Sequence, residues 1–173
     1  MKPPENLARL AFTKKQMGDA CEMIVAAELT LAGIPALKVP DNWPGYDVIA
    51  QPFRGQPQRI SVKARTFKNG AAYVQYQQTD VFDWLAIVIL NGHAPSSRSV
   101  YLAPRNVVDD VARRNAPGTR TERLRYIRIS EIEGLLGRFR DNFILRPEGL
   151  HESMANNEEL LTSSLERQPQ VIG

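Results

Sequence analysis

The chain is short of the residues on which many enzyme centres are built. A single cysteine in 173 residues excludes an internal disulfide and a cysteine-rich zinc site. That residue, Cys21, stands among apolar neighbours in a helical pattern and reads as a small buried hydrophobe. The only histidines, His93 and His151, are isolated in loop-like sequence, which argues against a histidine triad or a zinc centre. There is no Gly-rich phosphate loop and no serine nucleophile elbow. No apolar run is long enough to span a bilayer, and Met1-Lys2-Pro3-Pro4-Glu5 lacks the apolar core of a signal peptide. The expectation is a soluble, cytoplasmic protein with no membrane partner.

What is present is enough for one core. Hydrophobic residues make up 43% of the chain, and the net charge of +3 with a pI near 9.2 is mildly basic, compatible with a nucleic-acid partner without demanding one. Residues 1–149 are expected to form one domain. From Leu150 the composition changes, and 150–173 reads as a tail, or as a weak helix through Met154, Leu161 and Leu165, that orders against the core or a second subunit. A homodimer is one expectation from it.

Along the chain, Thr13 to Gly33 carries Met17, Cys21, Ile24, Val25, Leu31 and Ala32 on one helical stripe, with Gly33 placed to end the helix. Glu22 lies on the flank of that stripe. Glu28 projects toward its middle and needs a cation or an exit to solvent. Strands are predicted at 35–40, 71–77, 84–90, 99–103 and 125–129, and 84–90 lacks any polar residue, as a strand covered on both faces would. Pro104 opens a helix whose inner face is Val107, Val108, Val111 and Ala112. Ser130 and Glu133 have capping-box spacing ahead of Ile132, Leu135, Leu136 and Phe139. Trp43 and Tyr46 either pack on the core or contact a base, and core packing is the simpler reading.

The organising feature is a hairpin made of 45–53, a turn at 54–58, and 59–65. Both arms alternate polar and apolar residues. Pairing Phe53 with Arg59 would set Ile49 opposite Lys63. Asp47, Ser61 and Lys63 would share one face, while Val48, Ala50, Ile60, Val62 and Ala64 face a helix. An Asp opening one strand, an X-Lys pair on its neighbour and a Glu on the preceding helix suit metal-assisted phosphodiester hydrolysis. Hard oxygens hold Mg²⁺, which activates a water and offsets charge building on the phosphate.

This arrangement resembles the PD-(D/E)XK nuclease superfamily, with its restriction-endonuclease-like and Holliday-junction-resolvase-like fold, from about Gly18 to Val88. Gly18-Asp19-Ala20-Cys21-Glu22 is similar to its opening helix, Gly45-Tyr46-Asp47-Val48-Ile49 to its Asp strand, and Ile60-Ser61-Val62-Lys63 to its X-Lys strand. The resemblance implies an α/β, three-layer core in which a mixed central sheet is flanked by helices. It implies Glu22, Asp47 and Lys63 as catalytic residues, and Asp47, the Val62 carbonyl, Glu22 and Ser61 as ligands of Mg²⁺ or Mn²⁺. Ser61 stands where the motif has a carboxylate or Gln, and it weakens the charge around the metal. The downstream acids that could compensate are Asp80 and Asp83, because 75–78 carries Gln75, Gln77 and Gln78.

DNA is then the expected partner, with Arg65, Lys68, Arg113, Arg114 and Arg120 as candidate contacts. Every basic residue between Arg98 and Arg146 is Arg, whose fork matches phosphate oxygens. Solvated surface arginines account for the same pattern, with Arg123 and Arg125 among those worth testing. Two functions follow: a metal-dependent nuclease acting on DNA in repair, recombination or defence, or a catalytically weakened member that binds nucleic acid or a protein without cleaving it.

Overall fold

The computed structural model describes residues 12–66, 72–90 and 97–150. Its first element, helix α1 (Lys14–Leu31), begins where the backbone donors of its first turn find acceptors. Thr13 accepts from the Gln16 amide at 3.2 Å, and the Gln16 side chain accepts from the Thr13 amide at 2.9 Å. It ends in a Schellman turn. Gly33 adopts φ +90°, its amide donates to Thr30, and the Ile34 amide reaches back to the Leu29 carbonyl at 2.9 Å. The row buried by this helix is Cys21, Val25 and Leu29 with Ala26, whereas Leu31, expected on the stripe, is 84% exposed. The i, i+4 repeat from Cys21 sets the buried line, and Leu31 lies off it, two residues past Leu29.

Strands β1 (Ala36–Lys38), β2 (Val48–Ala50), β3 (Gln58–Thr66), β5 (Trp84–Leu90) and β6 (Arg98–Pro104) form a mixed sheet in the order β1-β2-β3-β5-β6, where β4 is Tyr73–Gln77. Only β3 and β5 run parallel; the other neighbours are antiparallel. After helix α2 (Arg105–Val111) come β7 (Arg113–Arg114) and β8 (Leu124–Arg128), which with β4 make a second sheet, β4-β8-β7. Helix α3 (Ile132–Leu136) follows a 3-10 turn.

Strand β5 explains the layering. Trp84, Ala86 and Val88 point toward α1 with Val48, Ile60 and Val62, while Leu85, Ile87 and Ile89 point toward Val74, Ile127, Ile132 and Phe139 under the second sheet and α3. Its all-apolar sequence is required because both faces are covered. The result is the α/β, three-layer arrangement expected, a mixed sheet flanked by helices, with the small sheet adding cover on the side away from α1.

Three local expectations are corrected. In the hairpin, Ile49 pairs with Arg59 and Val48 with Ile60, a shift of four residues from the Phe53–Arg59 alignment. The loop is longer than predicted because Pro52 and Pro57 have no N–H to give to the ladder, and the even shift preserves which residues share a face. The Ser130–Glu133 capping box does not form. Residues 129–131 are a 3-10 turn, α3 starts after Glu131 without a side-chain cap, and Glu133 instead accepts a hydrogen bond from the Tyr101 hydroxyl. Arg125 is not a surface cation: it is 5% exposed and donates to the Glu122 carbonyl at 2.9 Å and to Gln78 Oε1 at 2.6 Å.

No helix among the described residues is long and apolar enough to cross a membrane. Of the predicted tail, 150–173, all but Leu150 lies outside the described residues, as does Lys68.

Candidate functional site

Asp47 immediately precedes β2, at the strand's N-terminal end, beyond which β3 runs on. Its backbone is held on both sides, donating to Ile60 and accepting from Val39, each at 3.0 Å. Gly45 makes the approach possible. It has φ +90°, and a Cβ there would come within 3.2 Å of the Val81 carbonyl. Past the end of β2 the carboxylate takes over as acceptor for β3: Oδ2 receives the Val62 amide at 2.6 Å and the Ser61 hydroxyl at 3.3 Å. Among the described residues no donor engages Oδ1. Ser61 is 2% exposed, so its hydroxyl is committed to orienting Asp47. Val62 meets Asp47 through its N–H.

Glu22 and Asp47 line one cleft of about 280 Å³, together with Asp19, Asp41, Lys15 and Gly18. Lys63 does not line that cleft. It lies half-buried in a neighbouring groove of about 950 Å³ between β3 and the start of α1, and Gly18 borders both hollows. No hydrogen bond or ion pair engages the Lys63 ammonium among the described residues. A third hollow, about 400 Å³, joins Lys63 and Arg65 to Gln75, Gln77 and Asp80. Asp80 accepts the Gln77 amide at 2.9 Å, and Asp83 is held by Arg59 through paired bonds of 2.7 and 2.9 Å.

The residues that sequence reasoning missed are the companions of Glu22. Asp19, Glu22 and Asp41 bring carboxylate oxygens within 4.8 Å of one another. The Lys38 ammonium stands among them, 2.8 Å from Glu22, 2.7 Å from Asp41 and 3.4 Å from Asp19, and Lys15 pairs with Asp19 and Asp41. Hydrogen bonds from Lys15 and Lys38 hold the Asp41 carboxyl down to about 2, and the same network raises Lys38, chiefly through Asp41 and then Glu22. The signal was available in spacing. Asp19 and Glu22 are three apart on one helix and so share a side, whereas Lys38 meets Asp41 through the turn that follows β1. Glu28, by contrast, answers its need for a cation with Arg98 at 2.7 Å.

Of the candidate DNA contacts, Arg65 is anchored by neutral acceptors, the Tyr73 carbonyl at 2.9 Å and the Ala64 carbonyl at 2.7 Å. Arg113 pairs with Glu131 at 2.7 Å, whereas Arg114 and Arg120 are exposed and without an ion pair among the described residues. Tyr46 packs against the core below the small sheet, and Trp43 meets it edge-on while half exposed.

The donor chemistry of the cleft suits a hard divalent cation, since Glu22 and Asp47 are carboxylates lining one hollow beside Asp19 and Asp41. Lys38 is the competitor, because an ammonium already neutralises Glu22.

Comparison with known proteins yields no matching family model and no matching curated protein. Among solved structures the chain is similar to a bacterial homing endonuclease, at 17% identity over 65% of this chain and 86% of that one, with a TM-score of 0.45. It is also similar to a Holliday junction resolvase from Archaeoglobus fulgidus, at 18% identity over 62% of this chain and 88% of that one, with a TM-score of 0.39.

Proposed function

We propose that the protein is a divalent-metal-dependent nuclease that hydrolyses phosphodiester bonds in DNA, in repair, recombination or defence, as a cytoplasmic protein able to form a homodimer. The observation that carries this reading is the shared cleft of Glu22 and Asp47, bordered through Gly18 by the groove of Lys63. Glu22 and Asp47 would hold Mg²⁺ or Mn²⁺, and a bound metal supplies a more acidic water and a counter-charge for the phosphate. Asp47 is held ready for this, because the Val62 amide and Ser61 hydroxyl pin one oxygen and leave the other without a donor among the described residues. Lys63, not neutralised by any described acid, steadies the attacking water or the charge developing on the phosphate. The test is cleavage of single-stranded, duplex and branched DNA with Mg²⁺ or Mn²⁺. Activity is expected to vanish in Asp47→Ala and in Lys63→Ala, and cleavage surviving in both overturns the reading.

A second reading, a weakened nuclease that binds nucleic acid or a protein without cleaving, is favoured by Lys38 among the acids and by the neutral Ser61 beside Asp47. Calorimetric titration with Mn²⁺ separates the two: a site lost in Asp47→Asn belongs to the first, no site to the second. Ser61→Glu would bury a second carboxylate beside Asp47, where like charges repel without a cation. A thermal stabilisation by Mn²⁺ larger than in the parent chain would mark an otherwise intact site.

A further inference from the structure

The small sheet has two faces of opposite character. Val74, Tyr76 and Ile127 point inward and are buried. On the other face, Tyr73 pairs with Arg128, Gln75 with Tyr126, and Gln77 with Leu124, and Arg113 extends the row beside Tyr126. Gln75, Gln77, Arg113 and Arg128 are exposed, and the two tyrosines are half-buried. The tyrosine rings meet edge to face, with centroids 5.4 Å apart and planes at 89°, so ring faces remain turned away from the partner ring.

The charge of this face is not cancelled. Arg113 and Arg128 share a single acid, Glu131, at 2.7 and 3.8 Å. At the β4 edge the hollow of about 400 Å³ brings in Lys63 and Arg65, with Asp80 as its acid. Arg65 is tied to carbonyl oxygens, which fix its position and leave its charge intact. Cations therefore outnumber acids along a path from the sheet face to Lys63. Each residue type on that path has a use for a polynucleotide: tyrosine stacks on a base, glutamine both donates to and accepts from base edges, and Arg and Lys meet phosphates. Stacking on a sheet requires a base free of its own stack, which a closed duplex does not offer.

We propose that the outer face of the small sheet docks an unpaired nucleic-acid strand and leads it to Lys63. This rests on the DNA-cleaving reading and narrows its substrate to DNA containing a single-stranded segment. The experiment is fluorescence anisotropy of the full chain in EDTA, with labelled oligodeoxythymidine and a blunt duplex of equal length as probes. Tyr73→Ala and Tyr126→Ala are each expected to weaken single-strand binding on the order of tenfold while leaving duplex binding unchanged. Arg128→Gln should lower the salt slope of binding by about one. Should the tyrosine variants melt early, the double variant Gln75→Glu/Gln77→Glu, at exposed positions, decides the matter, and its expected result is a loss of single-strand affinity on the order of tenfold. If the parent chain binds DNA and the glutamate pair binds as tightly, the docking face is overturned and the nuclease reading stands. A parent chain that binds neither probe at low salt overturns both.

Discussion

Two neighbouring regions of this protein handle charge in opposite ways. In the cleft of α1 and β1, carboxylates are paired with ammonium groups, Asp19, Glu22 and Asp41 with Lys15 and Lys38, so each of these acids stands beside a cation. Along β3 and β4, Arg65 is held by backbone carbonyls and Lys63 by no described acid, so positive charge is fixed in place without being cancelled. Ion pairing and carbonyl anchoring both order a side chain. Only the second leaves a field for a polyanion to feel. A cation that takes Glu22 as a ligand competes with the Lys38 ammonium, whereas a phosphate reaching Lys63 meets an ammonium that no described acid pairs.

The largest effect should come from the residue between the two regions. Asp47→Ala is expected to abolish cleavage and also to lower stability by about 1–3 kcal/mol, because the Val62 amide loses its acceptor. Asp47→Asn retains an acceptor oxygen and should keep most of that stability while still losing cleavage. Paired activity assays and urea melts check this, and equal destabilisation by both changes would mean the charge itself holds the strand. Next, Lys38→Met should raise Mn²⁺ affinity about tenfold if ammonium and metal compete for Glu22. Unchanged affinity in a calorimetric titration would show that the cleft is a closed ion-pair network.

A smaller change is expected on the cationic side. Lys63→Gln should weaken DNA binding a few-fold and lower the salt slope by about one, consistent with one phosphate contact. The slightest effect concerns pH. The Asp41 carboxyl is held at about 2, below its ordinary range, so its pairing contributes stability above about pH 4 and loses that contribution as pH falls toward 2. Asp41→Asn should flatten this part of the acid melting curve, and an unaltered curve would place the acid sensitivity elsewhere.

Much of the fold was legible because its signals are local. The Gly33 helix stop, the apolar run of β5 and the alternation of β3 each depend on neighbours in sequence, and each element forms where the pattern put it. The Ser130–Glu133 pair shows the limit of such signals: spacing offered a cap, but Tyr101 from β6 claimed the Glu133 carboxylate. Arg125 alternates with apolar residues as a surface cation would, yet the small sheet buries it against Gln78.

For the candidate site, sequence by itself determined the residue types: acids on α1 and before β2, a serine and a lysine two apart on β3, and a face for each that a four-residue shift of register did not disturb. Tertiary structure decided what each acid and cation meets. Lys38 is 16 positions from Glu22 in the chain and reaches it only because β1 packs beside α1. Asp47 reaches the Val62 amide only because β2 does not begin until Val48 while β3 runs on beside it. Charge type is a property of one residue and can be read one letter at a time, but neutralisation is a property of pairs brought together by folding, and it is what separates the cleft from the groove.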